Sequence, residues 1–173
     1  MAITSKRETI IAYIKATTLP LINGTGHYNN NIITITRRII KSQAFEDHLL
    51  PAIMIRDDIT TQYSPHANDG YYETGSVGDL TDGMGIGLIG MVATGGNQDD
   101  IDTGKISTEC NKLHSDMIIA MLSDDTLGGT CEAVTLVSSM NSIDFAGHNG
   151  LAVCFQVYSI NYLFNPIATT PVT

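Results

Sequence analysis

Tryptophan is absent from this chain of 173 residues, cysteine occurs only three times, and Lys plus Arg number 9 against 18 Asp plus Glu. The shortage of basic residues leaves a net charge of −9, which repels phosphate at long range. A protein that wraps a duplex or holds a single strand needs a basic groove, so those roles are disfavoured. An acidic surface along which DNA slides without sticking remains compatible. The three cysteines, Cys110, Cys131 and Cys154, form no C-x-x-C pair, and each lies in an apolar run. They read as buried thiols of a reducing compartment rather than as a disulfide or metal framework. No run approaches the ~18–20 apolar residues needed to span a bilayer. Lys6, Arg7 and Glu8 interrupt the N-terminal segment, so no secretion signal is expected. The chain is expected to be soluble, made in the cytoplasm and independent of membranes.

Reactive motifs are equally scarce. The five histidines, His27, His48, His66, His114 and His148, show no i, i+4 spacing of a helical zinc site. The pairs Asp57-Asp58, Asp99-Asp100 and Asp124-Asp125 lack the pattern of a calcium loop and read as solvated or capping carboxylates. No serine sits in a G-x-S-x-G elbow. The expectation is a non-enzyme with no metal and no cofactor. One motif competes with it: Gly85-Ile86-Gly87-Leu88-Ile89-Gly90 matches the G-x-G-x-x-G of dinucleotide sites. That fingerprint should follow an apolar strand and open a helix, whereas here Thr81-Asp82-Gly83 precedes it and Met91-Val92-Ala93 follows. The glycines fit better as places where a strand bends or a neighbouring backbone comes close. A small nucleotide-binding enzyme is the remote alternative.

What is present is an ordinary globular composition, 43% hydrophobic, long enough for one domain. Thr4 or Ser5 caps a first short helix, with Glu8 at capping-box spacing from Ser5. Ile10, Ile11 and Ile14 form its apolar stripe beside Tyr13, and Pro20 and Asn23-Gly24 end it. Asn31 to Lys41 reads as a strand with Ile33, Ile35 and Arg37 on one face and Ile32, Thr34, Thr36 and Arg38 on the other. Pro51 to Arg56 and Met84 to Thr94 are further strands. Ile106, Cys110, Leu113, Met117 and Met121 mark one face of a long helix, widened by Ile118 and Leu122. Asp99, Asp100 and Asp102 precede it, where the helix dipole favours negative charge. Asp124-Asp125-Thr126-Leu127-Gly128-Gly129 closes it. Ala133 to Ser138 is a strand, and so is Leu151 to Leu163. In the latter, Ala152, Cys154, Gln156, Tyr158 and Ile160 alternate with Val153, Phe155, Val157, Ser159 and Tyr162.

This order predicts an α+β domain over residues 1–164. Its sheet is mixed and mostly antiparallel, with one long and one short helix packed on it. Residues 57–82 are predicted as a long inserted loop or β-arm that orders on a partner, with Tyr63, Tyr71 and Tyr72 as aromatic anchors. Residues 165–173 are expected to be an extended tail.

The succession of a short helix, a strand bearing Arg37-Arg38, the segment Leu49-Leu50-Pro51-Ala52-Ile53-Met54-Ile55, an Ile- and Met-rich helix closing on Asp125-Thr126-Leu127-Gly128-Gly129, and a last strand carrying Val157-Tyr158 resembles the tail-terminator and tail-completion proteins of long-tailed bacteriophages. The resemblance spans roughly Thr4 to Tyr162; the acidic insertion and the proline-containing tail depart from it. It implies a structural virion protein that forms a ring, a hexamer in that family, which caps the tail tube and ends its polymerisation. Such a ring meets the tube protein on one side and the head–tail connector on the other, and genomic DNA passes through its lumen. A connector or neck adaptor and a tail-tube subunit are the alternatives. On this reading Leu127, Gly128 and Gly129, with the three tyrosines, are candidate interface residues. Arg37, Arg38 and Arg56 should lie in salt bridges or face protein partners.

Overall fold

The computed structural model describes residues 5–37, 49–57, 72–73, 80–93, 104–142 and 151–164. Ser5 starts α1 (Lys6–Tyr13) by accepting the Glu8 N–H on its hydroxyl at 3.2 Å. Only half of the expected capping box forms, because the Glu8 carboxylate turns instead to Arg37. The helix widens into a π-turn over Ile14–Thr18, where the Leu19 N–H reaches back to the Ile14 carbonyl. A tight 3-10 turn follows, Leu19–Leu21. Pro20 explains the change: it has no N–H to donate, and its ring would collide with the carbonyl four residues earlier in a continuous α-helix. Asn23 then caps its own turn, accepting from the Thr25 N–H and hydroxyl, with Gly24 and Gly26 at positive φ.

The sheet holds β1 (Thr34–Thr36), β2 (Ala52–Arg56), β4 (Leu80–Ala93), β6 (Leu151–Phe164) and β5 (Ala133–Ser142) in that spatial order, and β3 (Tyr72–Glu73) pairs beside β2 on the first residues of β4. β1 runs parallel to β2; every other pairing is antiparallel. The mixed, mostly antiparallel α+β layout is therefore the one expected. Strand β3 pairs with Leu80 and Thr81, and residues 80–82, expected to close the 57–82 insertion, instead begin β4 and pair with β6.

Both helices pack on one face. Met84, Ile86, Leu88 and Val92 of β4, Ile53 and Ile55 of β2 and Cys154, Tyr158 and Ile160 of β6 meet Ile10, Ile11 and Ile14 of the first helical segment. They also meet the long helix α2 (Lys105–Leu122) through Ile106, Cys110, Leu113, Met117 and Met121. Leu113, Met117 and Met121 are fully buried, each contributing about 1.5–3 kcal/mol by area. On the opposite face Leu50, Ala52, Met54, Met91, Leu151 and Val153 form a smaller cluster.

Three expectations are corrected. The stripe of α2 is widened by Asp116 and Ala120, not by Ile118 and Leu122; Leu122 is exposed. Regular strand around Ile33 shrinks to Thr34–Thr36, because the Ile33 and Thr34 N–H groups both reach the single carbonyl of Pro51 and break the alternation. Ile32 and Ile35 consequently both pack on the core while Ile33 points out. Tyr162 belongs with Tyr158 and Ile160 in the main core. At its start, α2 is preceded by Gly104 at positive φ, with no acidic residue in its first turn. Asp99, Asp100, Asp102, Arg38 and the 165–173 tail lie outside the described residues. No helix among the described residues is long and apolar enough to cross a membrane.

Candidate functional site

Three places concentrate unusual local structure: the turn after α2, a buried polar junction on α2, and the sheet edge at β5. In the turn, one Asp124 carboxylate oxygen accepts from the Thr126 N–H and hydroxyl, and the other accepts from the Gly128 N–H at 2.6 Å. These donors hold the carboxyl below the usual aspartate range, the Thr126 hydroxyl foremost. Leu127, Gly128 and Gly129 follow with three successive positive φ values, 47°, 66° and 77°. Leucine is a poor residue for that region. It is held there because its side chain is fully buried in the main core.

That geometry redistributes the proposed interface residues. Leu127 is sealed inside the core of its own chain and is an anchor of the turn, so its assignment to a partner surface is corrected. Gly128 does admit a close neighbour, but the neighbour is the phenol ring of Tyr13 in the same chain; a Cβ there would sit 2.6 Å from the Tyr13 hydroxyl. Gly129 is exposed, and a Cβ added to it would meet nothing within 4 Å among the described residues. Tyr72 pairs through its backbone with Thr81. Tyr63 and Tyr71 lie outside the described residues.

The junction on α2 has no counterpart in the sequence motifs. Asp116 is fully buried and accepts the backbone N–H and side-chain amide of both Asn29 and Asn30, at 2.8–3.0 Å. A buried carboxylate is tolerable only when its oxygens are met in this way. The sequence signal is weak: Asp116 occupies a helix position next to the apolar stripe, and the adjacent asparagines sit far away in the chain. Deeper in the core, Gln156 donates its Nε2 to the His114 carbonyl at 2.7 Å and accepts the Tyr158 hydroxyl at 2.6 Å. Burial pushes Tyr158 up and His114 down from their ordinary values.

The three thiols are free and buried, as expected. Burial, with Asp124 and Asp125 adding to it, lifts Cys131 to about 11. Contact with Cys110, then burial, raises Cys154. The glycine run Gly85–Gly90 is part of β4, an internal strand with β2 and β6 on its two sides. Its amides belong to the ladder rather than to a phosphate-binding turn before a helix, so the run does not build a dinucleotide fingerprint. At Gly90 the missing side chain makes room for the Met117, Cys154 and Leu113 side chains, which a Cβ would meet at 2.6, 2.7 and 2.9 Å. The close neighbours are side chains, where a backbone was expected.

Arg37 bridges two carboxylates, Glu8 at 2.7 Å and Asp57, at the far side of the sheet. This places one of the three arginines in the expected ion pairs. The Arg37 hydrogen bond in turn holds Glu8 below the usual glutamate range.

β5 ends the sheet. Its ten residues, Ala-Val-Thr-Leu-Val-Ser-Ser-Met-Asn-Ser, include no charge and no proline. Val137 and Met140 are 41% and 59% exposed. Single chains usually blunt such an edge with lysine, proline or a short strand. Here a milder device is found, a register shift between Leu136 and Ser138 that leaves Val137 as the extra residue of a bulge. The sequence pattern ends this strand at Ser138, short of Met140; the strand continues to Ser142.

Comparison with protein-family models and with curated proteins finds no match.

Proposed function

We propose that this chain is a structural subunit that joins copies of itself into a ring, in the manner of the bacteriophage tail terminators its element order resembles. The observation that carries the reading is the open β5 edge, uncharged over its whole length and bearing exposed Val137 and Met140. A strand edge of this kind is a hazard in a solitary protein and a docking surface in an assembly. The order short helix, strands, long helix, Asp124–Gly129 turn and two final strands supports the family likeness. In that role the ring, a hexamer by analogy, caps the tail tube, stops its growth and faces the head connector. DNA traverses a lumen that the net charge of −9 keeps from binding it tightly. A neck adaptor or tube subunit would use the same edge at another position along the particle axis.

Light scattering on the purified chain, with electron microscopy of the eluted species, tests the proposal. Discrete closed rings are the expected result. A strictly monomeric chain at high concentration overturns it.

A further inference from the structure

The ring reading leaves open which surfaces meet, and the sheet itself narrows the choice. A cyclic ring requires each subunit to present two different, complementary patches. Among the described strands the order of the sheet ends at β5 on one side and at β1 on the other. We propose that β5 of one subunit pairs with the β1 edge of the next, through the segments Ser138–Ser142 and Ile33–Arg37. This inference rests on the ring reading above and specifies its seam.

Strand direction is the first argument. β1 is parallel to β2, and the three following pairings, β2 with β4, β4 with β6 and β6 with β5, are all antiparallel. Three reversals leave β5 running opposite to β1. A rotation about an axis along the strands brings the next β1 alongside β5 as an antiparallel neighbour, which continues the ladder already present.

Register is the second. The bulge at Val137 divides β5 and increases the local twist, so one flat half remains on its far side. Met140 lies on the sheet face of Phe155, Ile89 and Met54, and Thr34 lies on that same face beside Ala52, so the antiparallel register that keeps the faces continuous sets Met140 opposite Thr34. Ser138, Ser139, Met140 and Asn141 are all exposed. Across the sheet, the β1–β2 register directs the Thr34 and Thr36 ladder groups at β2, so Ile35 turns its N–H and C=O away from it.

The third argument is chemical match. Ile33, Val137 and Met140 are 57%, 41% and 59% exposed, and they belong to these two edges. Neither Thr34–Thr36 nor β5 carries a charge. The cation beside the described β1 edge, Arg37, is already matched to Glu8 and Asp57. Joining the edges thus covers apolar side chains without burying an unmatched ion.

Disulfide trapping between two singly substituted proteins tests the seam. Thr34→Cys and Met140→Cys are prepared separately, then mixed and oxidised, with light scattering on the unsubstituted chain in parallel. The three native thiols are buried and stay out of the reaction under native conditions. The expected result is a cross-linked dimer in the mixture at least tenfold more abundant than in either variant alone. The double variant should give a ladder of covalent oligomers. Cross-linking of Met140→Cys with itself at the same yield, or no trapping while the parent chain still forms rings, overturns the seam and leaves the ring reading standing. A monomeric parent chain overturns both. Met140→Lys is the second variant: unchanged far-ultraviolet circular dichroism with at least a tenfold weaker association supports an edge contact, and unchanged association refutes it.

Discussion

The phenol of Tyr13 lies directly against the backbone of Gly128, so the first helix and the turn after the last helix lock each other in place. A methyl group at Gly128 would collide with that ring and would also force an L-residue to a φ of 66°. Gly128→Ala is therefore expected to lower stability by about 2–3 kcal/mol, combining the collision with the left-handed backbone. In a Tyr13→Ala background the same change should cost only about 1 kcal/mol, the backbone part. Denaturant melts of the four proteins of this cycle check it; equal costs in both backgrounds would exclude steric coupling.

Asp116 offers a second test. Asp116→Ala leaves the N–H donors of Asn29 and Asn30 without their acceptor in a buried junction, for an expected loss of about 3 kcal/mol. Asp116→Asn keeps the shape but turns an NH2 group toward donors, and about 2 kcal/mol is expected to go. Hydrogen exchange should show Asn29 and Asn30 losing protection before the strands of the sheet do. Full retention of their protection in the alanine variant would contradict the arrangement.

Gly90 sits where β4 meets α2. Gly90→Ala should destabilise by about 1–3 kcal/mol through overpacking against Met117, Cys154 and Leu113. Met117→Ala in the same chain should recover part of the loss, since the nearest of those atoms is the Met117 sulfur. Thermal melts of the single and double variants measure the recovery.

Acid should weaken the fold in two stages. His114 has a folded value depressed by burial, so the unfolded chain takes up a proton first, and stability falls as pH drops through about 6.5. Glu8 and Asp124 are likewise depressed, by Arg37 and by the Thr126 and Gly128 donors, and their contribution is present above pH 4.5 and lost on further acidification. The melting temperature should decline along both windows. His114→Gln should flatten the upper one and leave the lower unchanged.

The apolar periodicities carry most of the architecture. The stripe from Ile106 to Met121 marks α2, and the alternation of β6 places its core face, apart from Tyr162. Pro20 signals the end of the first helix without revealing the π-turn, because a missing donor says that the ladder must change but not how. The pattern of β5 stops short because Ser, Asn and Met have little strand character of their own; pairing along β6 extends it to Ser142. The tertiary junctions are illegible in the sequence. Asp116 with Asn29 and Asn30, and Tyr13 with Gly128, join residues far apart in the chain, and no local pattern encodes such a meeting.

The Asp116 junction also sets a timetable for biosynthesis. The groups that it gathers are separated by 86 and 87 positions. On the ribosome, residues 29 and 30 emerge long before the carboxylate that secures them. The amino-terminal helix and its following turn therefore lack this anchor until α2 has been synthesised, and forming it means closing a long chain loop.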